Sequence, residues 1–543
     1  MAYDSYAGYF TRYKMKKIVL LVISSVLLIQ CTTIKSHNNH LNNLISEKVL
    51  KSDVDFIYIK LQQLHPKLYW YISKEDLDYQ FDSLKTTITK PLTSFEFYQK
   101  ISPIIANVRQ GHLFVSPSQK IFTRQETQVI TKKGNGPFSQ FDFELFDNKL
   151  YVVRNKSYDK SIKIGTEVVA INGIQTHELL KKYNKWFASD GFNETYKKNA
   201  VSRKFSTFYT FENGILDSIC YHFRYKDTLK TVSIKRKVID TTETHRKKSN
   251  KKLNTFEKAK IKADEKQNSI FGYDPNAKIY NRNLRFIEKD SSIAIMKIRS
   301  FMEGDFRTFY KESFSKIDWY ESKNLILDLR DNGGGRLNEI AYLYSYLSDS
   351  TFVFVDESQV ATKTSLFHAD YFKGGSLAIK ALKIIFSPLY YGFTFFSVHK
   401  NKDGKYYQSI NTKPHKVSRD AFKGKIYILI NGGSFSASSI ISSNLKSSKR
   451  AVFVGEETGG AFNGTVAGNM PIVKLPKSNI AVRIGLKAIV PYHKTTMEGR
   501  GIFPDVTIVP TIEDRIKGID PEMNWVINNI KSNANVTVET SAK

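Results

Sequence analysis

The chain has 543 residues, is 41 % hydrophobic and 13 % aromatic, and carries a formal net charge of +30. That content suffices for packed cores in two to four domains and excludes a disordered chain. The charge invites a nucleic-acid partner, but lysines and arginines are spread over the whole length. The one dense run, 246–266, has nine basic against three acidic residues, and no nucleic-acid-binding pattern accompanies it, so no such partner is expected. The two cysteines, Cys31 and Cys220, and the histidines show no zinc-site spacing, and neither a metal nor a cofactor is expected.

Residues 1–31 read as a secretory leader. Met15-Lys16-Lys17 precedes an apolar stretch, 18–29, too short for a comfortable transmembrane span. Gln30-Cys31-Thr32 follows and resembles a bacterial lipobox. The expectation is a body outside the cytoplasm, in the periplasm or at the outer membrane, held to the membrane through a lipidated Cys31. Residues 32–45 read as a tether.

Residues 46–125 carry helical periodicity in VDFIYIKLQQL, DLDYQFDSLKTTI and SFEFYQKISPIIANV. Val108-Arg109-Gln110-Gly111-His112 then turns a helix end into a strand, which places His112 at a junction that points out of the fold. Residues 126–240 have β character, with a hairpin signal at Asp147-Asn148. Ile162–Gly173, ending Ile171-Asn172-Gly173 before HELLKKY, resembles a PDZ domain, which binds peptides by adding a strand to an open edge. Residues 241–285 read as a basic linker or loop.

From about 286 to 515 strands and helices alternate as in an α/β domain. Leu325–Leu329 reads as a strand running into the glycine loop Gly333-Gly334-Gly335, which lacks the P-loop lysine and suits an oxyanion or peptide-backbone contact better than phosphate. Residues 375–398 are apolar and aromatic, but Lys380, Lys383 and Pro388 argue against a membrane span; a lid, a groove wall and a membrane-facing patch all remain open. Residues 516–543 read as a C-terminal helix and tail.

The stretch around which this order makes sense is 426–440, IYILINGGSFSASSI. A buried strand ends at Asn431-Gly432-Gly433, and four serines (434, 436, 438, 439) lead into an apolar-periodic helix. A glycine turn exposes a hydroxyl, and the free N–H groups of a first helical turn can hold an oxyanion. A serine-rich helix cap would look the same.

Four motifs in sequence resemble peptidase family S41, the C-terminal processing proteases and the tricorn core. Leu327–Gly335 is similar to the family's DLRxNxGG and Ser434–Ser439 to SASASE. Gly455–Gly460 is similar to GExTxG and Gly501–Asp505 to GxxPD. The resemblance implies an α/β multidomain chain: an N-terminal helical domain, a PDZ-like β-rich domain, and a crotonase/ClpP-like α/β catalytic domain. It implies a serine endopeptidase acting on protein or peptide substrates, with Ser436 as nucleophile and N–H groups of Ala437 and Gly333 or Gly334 as oxyanion donors. Asn463 stands where the processing proteases carry their lysine base, and a neutral amide takes no proton. The tricorn-like branch uses a histidine instead, which points to His112 as base, with Glu498 the match for its acid. A binding-only relative that has lost its base is the competing expectation.

Overall fold

A computed structural model describes residues 34–238, 254–287, 291–410 and 412–541, with side chains to 533. The leader and Cys31 lie outside the described residues. So does most of the basic run's first half. The described part is a mixed α/β molecule with several sheets.

The central sheet is built from Arg282–Ile287, Ile293–Ile298, Asn324–Asp328, Lys425–Ile430, Ala451–Gly455 and Val506–Thr507, in that spatial order. The first pairs antiparallel and the rest are parallel. Continuous apolar runs are what a parallel strand covered on both faces requires. Alternate residues separate accordingly. Ala294, Met296, Leu325, Leu327, Ile426 and Ile428 join one core with the helices Phe306–Trp319, Leu337–Leu347 and Ala437–Ser447. Ile293, Ile295, Ile326, Tyr427 and Leu429 face the other way, onto Met523, Val526 and Ile530 of the helix Pro521–Ser541.

The N-terminal helices are Glu47–Leu64, Lys74–Thr86 and Ser94–Ala106. Thr93 and Glu96 close a reciprocal capping box on the third. These helices share one hydrophobic cluster with a β-rich unit and with Leu475, Ile480, Val482, Ile484 and Leu486. The β-rich unit is an antiparallel sheet ordered Phe141–Phe146, Lys149–Asn155, Thr166–Ile171, Ser218–Tyr225, Thr228–Lys235, with Ile174–Gln175 paired to the third strand. Asp147 and Asn148 both take positive φ (47° and 59°), the left-handed turn that the Asp-Asn pair signals.

Three segments depart from the sequence reading. The β-rich stretch contains a 19-residue helix, Thr195–Asn213, whose buried residues Val201, Phe205 and Phe208 are spaced for a helix but stand among Lys, Ser and Thr. In the expected loop 241–285, Thr255–Phe271 is a helix started by an Asn254–Glu257 capping box, and Arg282–Ile287 is the edge strand of the central sheet. Residues Leu377–Ser397, for which no element was expected, form a helix with Pro388 inside it. Within 32–45, Ile34–Asn39 is a short helix tied by Asn38 to Ile121.

A fully buried ion pair stands at the end of the glycine loop. Arg282 Nε and Nη2 donate to the Glu339 carboxylate at 2.7 Å each, and Tyr310 Oη donates to it at 3.1 Å. Removing one partner strands a buried charge. Glu339→Ala is therefore expected to cost about 3–5 kcal/mol, read as a lowered denaturant midpoint, with Glu339→Gln costing less.

Candidate active site

Strand Lys425–Ile430 ends at Asn431, and the chain turns through Gly432 and Gly433 into the helix Ala437–Ser447. Ser436 is the residue before that helix, with φ 59° and ψ −119°. A non-glycine residue there stores about 1–3 kcal/mol of strain, held by the surrounding packing. The other serines have structural partners or are buried. Ser434 Oγ donates to Leu329 O at 2.8 Å, Ser439 Oγ donates to Ser434 O at 3.0 Å, and Ser438 is fully buried. Of the four, Ser436 is the one partly open to solvent.

His112 meets it. His112 Nε2 lies 3.1 Å from Ser436 Oγ, although the two are 324 residues apart. The histidine follows Arg109, which takes φ 55°, and Gly111, where an added Cβ would lie 2.7 Å from the Phe435 ring. That close approach lets the His112 imidazole stack on Phe435 at 4.7 Å, with Tyr196 on the ring's other side at 4.4 Å. Arg483 Nε donates to His112 O at 3.1 Å. Burial, reinforced by the nearby Arg483 and Lys204 cations, pushes the imidazole down to about 3, so it is neutral at pH 7.

The second ring nitrogen reveals residues the sequence reading missed. His112 Nδ1 lies 3.0 Å from Thr465 Oγ1. Beside Thr465 is Asp190, fully buried, whose Oδ1 accepts the Gly111 N–H at 2.8 Å. Burial pushes Asp190 up to about 6, against the stabilising Gly111 N–H, the Thr465 hydroxyl and the Ala461 N–H. Thr465 stands two residues after Asn463, but nothing local marks Asp190, in the loop Ser189-Asp190-Gly191.

Glu498 is placed differently from the expectation. It is exposed, and its carboxylate accepts from Asn463 Nδ2 at 2.9 Å; it bonds neither His112 nor Ser436. Asn463 itself is saturated, donating to Thr495 O and accepting Thr495 N–H, each at 2.8 Å. Its polar atoms brace a loop and do not face the serine.

The glycine loop sits against the serine turn: a Cβ on Gly334 would fall 2.7 Å from Ser436 Cβ and 2.9 Å from Ala437 N. Of the expected oxyanion donors, Gly334 is committed elsewhere, donating its N–H to Asn332 Oδ1 at 2.9 Å. Among the described residues the N–H groups of Gly333 and Ala437 have no protein acceptor. The remaining motif residues are structural. Arg330 bridges Asp328 and Asp520, and Glu457 accepts Arg500 and the Gly501 N–H, locking the Gly-Glu-Glu-Thr turn to the Pro-Asp closure.

Ser436, His112, Gly333 and Ala437 line a cleft of about 700 Å³, together with Lys204 and Arg483. A hydroxyl against a neutral imidazole, with free N–H groups alongside, is what nucleophilic serine chemistry needs. Residues 292–508 match the profile of Peptidase family S41. A carboxy-terminal-processing protease of Bartonella bacilliformis is 33 % identical over 95 residues, covering 18 % of this chain and 20 % of that protein. The chain thus aligns with about a fifth of the length of that curated relative. In fold it is similar to mature CPAF complexed with lactacystin, at 14 % identity and a TM-score of 0.58, covering 91 % of this chain and 99 % of that one. Mature CPAF alone matches at 15 % identity and a TM-score of 0.54, covering 87 % and 95 %. Residues 292–508 thus carry the pattern of peptidase family S41, serine-type by family.

The depressed His112 has a stability consequence. An unfolded imidazole titrates near 6.5, so as the pH falls the unfolded chain takes up this proton first. The cost is absent above about 6.5 and grows until the folded site also titrates at about 3. At pH ~5 it amounts to about 2 kcal/mol. His112→Gln is expected to lose less stability than the parent between pH ~7 and ~5, measured by denaturant unfolding.

Proposed function

We propose that the protein is a serine endopeptidase that hydrolyses peptide bonds of protein or peptide substrates through an acyl-enzyme on Ser436. The observation that carries this reading is the 3.1 Å contact between His112 Nε2 and Ser436 Oγ over an open cleft. With its proton on Nδ1, His112 donates to Thr465 Oγ1, and Ser436 Oγ–H donates to Nε2. His112 takes that proton as the hydroxyl attacks the carbonyl. The N–H groups of Ala437 and Gly333 then receive the oxyanion, worth about 3–4 kcal/mol for a good donor. His112 next protonates the leaving amine, and water hydrolyses the acyl-enzyme by the same steps in reverse. Thr465 and Asp190 position the imidazole. Glu498 bonds Asn463 and has no bond to this network.

The parallel sheet with its serine-bearing helix follows a crotonase/ClpP-like plan, and the β-rich unit a PDZ-like one. In support of the latter, the edge strand Phe141–Phe146 is paired on one side only and faces the helix Thr195–Asn213 across a groove of about 1510 Å³. The groove runs to Asp331 and Gly432, beside the serine turn. An extended peptide can add as a strand there and continue to the cleft. The leader pattern supports an envelope location with lipid on Cys31.

Ser436→Ala and His112→Ala are each expected to lower peptide hydrolysis at least ~100-fold and to abolish labelling by a serine-reactive phosphonate. Undiminished turnover in either variant removes that residue from the mechanism, and a parent that neither labels nor cleaves is a binding protein on the same fold. Thr465→Val should lower kcat about 10- to 100-fold with KM little changed, and Thr465→Ser should restore it. Ser206→Trp, which fills the groove, should raise KM for a long peptide while leaving hydrolysis of a small ester unchanged.

A further inference from the structure

The helix Leu377–Ser397 is amphipathic in the opposite sense from a helix packed on a soluble body. Lys383, Ser387 and Thr394, spaced four and seven apart, turn toward the protein. Lys383 Nζ donates to Lys373 O at 2.9 Å, and Thr394 is buried. Tyr390 stacks on Tyr371 at 4.1 Å and Tyr391 meets Phe367 edge-on, which holds this face down. The opposite stripe is apolar and uncovered: Leu377, Ile385, Leu389, Phe393 and Phe396 are 68–86 % exposed. So continuous an apolar face on a monomer marks an interaction surface.

The surrounding charge selects the partner. Residues 370–405 contain six lysines and two acidic residues, Asp370, which pairs with Lys373, and Asp403, which accepts the Tyr407 hydroxyl. The helix itself has two lysines and no acid. A second copy on this face would set one lysine cluster against another, and like charges across an interface are costly. The leader is no better, since Met15-Lys16-Lys17 is also basic. Anionic lipid headgroups complement the lysines, and an acyl layer accepts the stripe. Aromatic side chains along the helix suit the boundary between the two. Among the described residues no helix is long and apolar enough to cross a membrane, so the geometry is that of a helix lying flat.

We infer that the helix Leu377–Ser397 docks in the plane of an anionic lipid surface. Its outward stripe sinks among the acyl chains and its flanking lysines sit at headgroup level. This contact is separate from any lipid on Cys31 and does not depend on the catalytic reading.

The test uses the full chain with Cys31→Ser and Cys220→Ser and a polarity-sensitive fluorophore on Phe393→Cys, an exposed position whose replacement spares the core. Phosphatidylcholine vesicles containing phosphatidylglycerol should shift its emission to the blue and shield it from aqueous iodide. Pure phosphatidylcholine should do so less, and Leu389→Glu should abolish the shift. The same probe on Tyr79→Cys, exposed on the helix Lys74–Thr86, should not respond. No response at position 393 while the chain sediments with the vesicles overturns the inference, since the leader then does the binding. A blue shift without vesicles that grows with protein concentration also overturns it, in favour of a second copy.

Discussion

The candidate site exists because a three-residue strand, Phe114–Ser116, pairs antiparallel with Ala481–Arg483. Ser436 is positioned by its own neighbourhood. His112 is not; it reaches the serine because the strand that follows it is held in register against a segment some 370 residues further on. A slip of one residue would turn every side chain of so short a strand to the other face. The pairing is therefore fastened from both sides. Arg483 Nε holds His112 O, and Asp53, buried in the first N-terminal helix, accepts the Ser478 N–H and hydroxyl at 2.7 Å each and the Lys477 N–H at 3.2 Å. Ser94 Oγ adds a bond to Ser478 O at 2.6 Å. The N-terminal helices thereby become the platform from which His112 is presented.

The same closure sets the electrostatics. Phe435 lies between the rings of His112 and Tyr196 and keeps water from that side of the imidazole. Lys204 is packed near the rings of Phe114, Phe187 and Tyr196, and burial together with the Arg483 and Arg203 cations lowers it to about 8. A neutral imidazole with a fixed hydroxyl at its far nitrogen is a preoriented acceptor. A carboxylate in direct contact would hold it charged. Asp190 makes no direct bond to the imidazole; its Oδ1 accepts the Gly111 N–H beside the histidine.

The strongest elements were legible because their signals are local. Ile426–Ile430 with its glycine turn, the Asp147-Asn148 hairpin and the capped helices were readable, since turn chemistry and hydrophobic period act over a few residues. Thr195–Asn213 and Thr255–Phe271 were not. Each is polar over most of its surface and owes its order to a cap or to packing on a neighbour, which period alone does not register. Glu498 was chosen for its place in a motif, yet its loop turns it to Asn463 and solvent. Asp190 was passed over because a lone Asp-Gly in a loop reads as a turn.

The sequence by itself determined the two inner strands of the central sheet that lead into the glycine loop and the serine turn, with the loop and turn themselves, all consequences of neighbouring residues. It also marked His112 and Asn463, through motifs whose spacing survives translation into structure. Only the tertiary structure decided which atoms meet: that Thr465 and Asp190 stand behind the imidazole, that Gly334 spends its N–H on Asn332, and that the helix Leu377–Ser397 turns Lys383, Ser387 and Thr394 inward and Phe393 and Phe396 out. The first joins His112 to a residue 353 positions away and is set by sheet register and core packing, which no local pattern encodes; the other two are short-range contacts whose geometry depends on how their loops and helix pack on the rest of the fold.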